Sequence, residues 1–132
     1  MQDRPTAVEL LNSVREFLEQ DLMPELEGRK RFHALVSANV LSIVARELAG
    51  EETMLVAEWE RLRDLLRSDD PAPARLDGLR TAVDALTRRL CDRIRAGDAD
   101  AGPLGAAVRA HVRATVVDKL RIANPKYLGD QG

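Results

Sequence analysis

The side chains able to do chemistry sit in two stretches, each centred on one of the chain's two histidines. Over residues 29–48, helical spacing places Arg29, His33 and Glu47 on or beside an apolar line, with Asn39 on the other flank. Over residues 103–123, His111, Thr115, Asp118 and Lys119 stack along one side at steps of three and four. If the two helices pack together, His33, Glu47, His111 and Lys119 share a polar cleft able to bind a small ligand or an acyl group. Lys119 falls near the middle of the face formed by Leu104, Val108, Val112, Val116 and Ala123, where a charge needs a partner. A buried ion pair from Lys119 to Glu47 would satisfy that need without any function. A hydrogen bond on the helix surface explains His111 and Asp118 as well as an acid/base pair does.

Other chemistries lack their residues. Two histidines, with no HxxxH, no ExxH and no four-carboxylate set, do not make a metal site. Neither GxGxxG nor a phosphate-loop signature occurs, and there is no GxSxG elbow for acyl transfer. Cys91, the one cysteine, has no CxxC context and reads as a small hydrophobe on a helix flank. No catalytic residue, metal or cofactor is therefore assigned.

Composition sets the frame. The 132 residues suit one domain with a real core, and 45% hydrophobic content with 3% aromatics makes that core Leu, Val, Ile and Ala, the set of packed helices. The net charge of −2 and four aromatic residues argue against a nucleic-acid surface. A lone cysteine and a start that leads straight into a charged amphipathic helix point to the cytoplasm. The longest uncharged run, residues 32–45, contains His33, Ser37, Asn39 and Ser42, too short and too polar for a membrane span.

Five helices are expected, near residues 6–22, 29–48, 51–68, 75–96 and 103–123, forming an all-α, single-domain bundle. Thr6 and Glu9 form a capping box, and Leu10, Leu11, Val14, Phe17 and Leu18 give the first helix its buried face, ended by Met23-Pro24. The second carries Val36, Val40, Ile43 and Val44 as its core line and stops at Gly50. Leu55, Trp59, Leu62 and Leu66 mark the third, and the linker 69–73 cannot be helical. The fourth has a near-heptad stripe of Leu76, Leu79, Val83, Leu86, Leu90 and Ile94, fit for a bundle seam or a homodimer seam, and ends at Gly97. Pro103 opens the fifth, which ends at Asn124-Pro125.

The stretches Arg4-Pro5-Thr6-Ala7-Val8-Glu9-Leu10-Leu11, Arg31-Phe32-His33 through Asn39 to Val44-Ala45-Arg46-Glu47-Leu48, Leu90-Cys91-Asp92-Arg93-Ile94-Arg95-Ala96-Gly97 and Asn124-Pro125-Lys126-Tyr127-Leu128 resemble a bacterial family of small helical proteins of unknown function. The resemblance covers roughly residues 4 to 128. Its members tend to be encoded beside aminoglycoside-phosphotransferase-like kinases and acyl-CoA dehydrogenases. The resemblance thus implies an accessory or interaction protein without catalysis, with such a kinase or dehydrogenase as partner. Trp59 and the tail Pro125, Tyr127 and Leu128 are the expected interaction surface. The alternative is a small-ligand or acyl-group binding module built on the polar cleft.

Overall fold

The computed structural model describes residues 3–129 and is 82% helical, with no strand among the described residues. Among the described residues it has four α-helices rather than five: α1 (Ala7–Glu16), α2 (Gly28–Leu66), α3 (Leu76–Arg95) and α4 (Gly102–Ala123). Two compact units divide the chain, Met1–Glu51 with Ile122–Gly132, and Glu52–Arg121.

The missing break is at Gly50, which stays helical inside the 39 residues of α2. A glycine ends a helix only where the chain turns left-handed. Keeping Gly50 helical costs about 1 kcal/mol, less than continuing the helix through Leu55, Trp59 and Leu62 recovers by burial. The real stop is Arg67, at φ 52°, where the Ser68 amide donates to the Arg63 carbonyl at 2.9 Å in a Schellman turn. The segment from Ser68 to Pro73 is non-helical, as its prolines require.

In the first unit the Thr6 hydroxyl accepts from the Glu9 amide at 3.2 Å, and the Thr6 amide donates to the Glu9 carboxylate at 2.6 Å, closing the expected capping box. Beyond Glu16 the helix widens to π geometry over Phe17–Leu22 and tightens to a 3₁₀ turn at Met23–Glu25. Pro24 accounts for the end, because its ring clashes with the carbonyl four residues back.

Burial in this unit reverses the expected faces. The buried residues of α2 here are Ala34, Ala38 and Ala45, while Val36, Val40 and Val44 are exposed and Ile43 is half-buried. At 3.6 residues per turn the alanines lie opposite the valines, so the small face is the one α2 turns inward. Leu10, Val14 and Phe17 of the first helix are likewise exposed, leaving Leu11 and Leu18 half-buried. The Arg46 guanidinium donates to the Ile122 carbonyl at 2.6 Å, satisfying an orphan acceptor in the last turn of α4.

The second unit holds the large-residue core. Trp59, Leu62 and Leu66 of α2 meet Leu79, Val83, Leu86 and Leu90 of α3 and Val108 of α4. Four members of the stripe expected as a bundle or dimer seam, Leu79, Val83, Leu86 and Leu90, are thus spent inside the unit, while Ile94 is 39% exposed and Leu76 half-buried. At the end of α3, Gly97 is left-handed (φ 87°) and the Asp98 amide donates to the Arg93 carbonyl at 3.1 Å, the expected stop. Gly105 is buried so close to the turn before α4 that an added Cβ would lie 2.4 Å from the Ala99 carbonyl oxygen.

Among the described residues one helix, Gly28–Leu66, is long and apolar enough by length and composition to cross a membrane.

Candidate functional site

The eight residues expected to share a polar cleft divide evenly between the units. Arg29, His33, Asn39 and Glu47 belong to the first, where all four are exposed on α2. Arg29 Nε donates to His33 Nε2 at 3.2 Å, a contact between neighbouring turns that needs an unprotonated imidazole nitrogen.

The other four belong to the second unit, where the C-terminal half of α2, α3 and α4 border a groove of about 480 Å³. Its walls are mainly aliphatic, with Leu55, Val83, Leu90, Ile94, Val112 and Val116 among them. His111, Thr115 and Lys119 line it, together with Glu58 and Cys91. Asp118 stands beside it and binds two guanidiniums, Arg61 at 3.1 Å and Arg121 at 2.9 Å.

Helical spacing explains this set. Val108, His111, Thr115 and Lys119 ascend one side of α4 in steps of three and four. The lower end of that line is in the core, and the upper end emerges into solvent. His111 is accordingly buried, Thr115 half-buried and Lys119 exposed. That overturns the expectation of a buried lysine: the face is apolar in type at Val112 and Val116, but both are 48% exposed, so Lys119 needs no buried partner.

Burial pushes the His111 imidazole below its ordinary pKa of 6.5, opposed by the Glu58 carboxylate and aided by the Arg61 guanidinium. Its Nδ1 is buried without a hydrogen-bond partner. Glu58 also accepts from the Thr115 hydroxyl at 3.3 Å. Near neutral pH the groove therefore presents a neutral imidazole, the carboxylates of Glu58 and Asp84, the Arg80 guanidinium and the Lys119 ammonium over an aliphatic floor. Such a set can orient an amphipathic molecule. Among the described residues no group of three or more His, Cys, Asp or Glu is placed to hold a metal ion.

Glu58 and Arg61 are the participants sequence reasoning missed. Their signal is their position one residue before Trp59 and Leu62, which places both on one flank of a buried helix face. Trp59 itself is 3% exposed, with the Arg63 guanidinium 4.9 Å from its ring centroid, and so belongs to the core and not to an interaction surface. On the tail, Pro125 and Tyr127 are exposed, the latter by 76%, and Leu128 is half-buried.

The match to the family model described as Domain of unknown function (DUF6285) runs over residues 24–127, and the chain belongs to that family. No curated protein and no solved structure matches it.

Proposed function

We propose that this chain is a non-catalytic accessory or interaction protein whose working surface is its first unit. The carrying observation is the exposure of large apolar side chains there: Leu10, Val14 and Phe17, Phe32, Leu35 and Leu48, and Tyr127 on the tail. Among the described residues its buried side chains are three alanines, while Leu11, Leu18 and Leu41 are only half-buried. A monomer rarely leaves so much apolar area to water unless a partner covers it. The resemblance drawn above makes a phosphotransferase-like kinase or an acyl-CoA dehydrogenase the partner to try, in the cytoplasm. The test is retention of each purified enzyme on the immobilised chain. Deleting residues 125–132 should abolish retention while barely moving the melting temperature; retention unchanged by the deletion, or absent from the start, contradicts the reading.

The groove supports a second reading, a small-ligand or acyl-group module. Its aliphatic floor suits a short acyl chain, and Lys119 suits the anionic end. Acyl-coenzyme A thioesters would then raise the melting temperature saturably in the absence of any protein partner, and His111→Ala would remove the shift.

A further inference from the structure

The exposed face of α2 has a register of its own. Taken in steps of four and three from its first turn, it reads Arg29, His33, Val36, Val40, Ile43 and Glu47, an unbroken heptad seam. All six are exposed except Ile43, which is half-buried. The seam is apolar in the middle, basic at one end and acidic at the other. Laid antiparallel on a copy of itself, it pairs Arg29 with Glu47, His33 with Ile43, and Val36 with Val40, each twice. A parallel pairing would set Arg29 on Arg29 and Glu47 on Glu47. Self-complementarity of this kind is what a two-fold interface requires.

The area agrees. Val36 and Val40 of the seam and Phe32 and Val44 beside it are between 37% and 61% exposed. With the exposed Arg29, His33 and Glu47 they offer on the order of 600 Å² per copy, enough, from two copies, for the lower range of specific interfaces. A bilayer is the poorer occupant. Although α2 as a whole is long and apolar enough to cross one, its uncharged stretch 32–45 spans roughly 21 Å as a helix against about 30 Å of hydrocarbon, and Arg46 and Glu47 follow at once.

We infer that two copies of this chain associate antiparallel through the α2 seam from Arg29 to Glu47. The inference rests on the reading of the first unit as an assembly surface and names a second copy as the occupant of its α2 face. It leaves α1 and the tail for any other partner.

Sedimentation equilibrium of the full chain tests it, with Arg29→Glu, Glu47→Arg and the double exchange. Each single reversal sets like charges across both ends and should weaken the dimer on the order of tenfold, while the double exchange restores it. Val36→Glu with Val40→Glu should give a monomer of unchanged helical content, since both positions are exposed in the protomer. If that variant fails to fold, the charge series still decides. A monomeric parent chain, a dimer indifferent to the single reversals, or a double exchange no tighter than the singles would overturn the inference. So would a monomer that sediments with phosphatidylglycerol vesicles, which would assign the face to a membrane. A monomer that still retains the kinase or dehydrogenase defeats the inference alone; a dimer that retains neither defeats only the partner reading.

Discussion

Arg61 and Asp118, fifty-seven positions apart in sequence, meet at 3.1 Å and tie the C-terminal half of α2 to α4. Both side chains are largely withdrawn from solvent, and Arg61 Nε is buried without a partner of its own. Asp118→Ala leaves the Arg61 guanidinium half-buried and unpaired. The expected loss is about 1–3 kcal/mol by chemical denaturation, with most of it absent when Arg61→Met is made as well. Equal losses in the single and double variants would show that the pair contributes nothing.

The depressed pKa of His111 makes stability depend on pH. The native imidazole stays neutral where the unfolded one takes up a proton, so the unfolded state binds more protons below the ordinary value of 6.5. Stability is therefore complete above that value and falls as pH drops from there toward the native pKa. His111→Leu should flatten this part of the curve relative to the parent, with carboxylate titration left in both. Superimposable slopes for parent and variant between pH 7 and pH 5 would refute it.

Lys119 offers a contrast on the same helix. Because it is exposed, Lys119→Ala should change stability by no more than about 0.5 kcal/mol. A loss of several kcal/mol would restore the buried ion pair that its position on an apolar line suggests.

Local rules made much of the fold legible. The Thr6–Glu9 box, the Gly97 stop and the core stripe of Leu79, Val83, Leu86 and Leu90 follow from side chains a few residues apart. What escaped depends on tertiary choice. Gly50 can end a helix or ride within one, and only the burial of Leu55 to Leu66 beyond it decides. The first half of α2 is apolar nearly all round, so its pattern offers two inward faces; the valine line looks the stronger, yet the alanines are buried. Pattern likewise put Lys119 on the apolar side of α4 without revealing that this side emerges from the core above His111. Glu58 and Arg61 joined the site through contacts with Thr115 and Asp118, fifty-seven positions away, which no local pattern reveals.

If the α2 face of the first unit pairs with a second copy of the chain, association must grow with concentration. Light scattering of the unmodified chain from micromolar to millimolar concentration measures this with no variant at all. The expected mass approaches twice the 14.6 kDa of one chain as concentration rises. A mass that stays at 14.6 kDa across the whole range would contradict it.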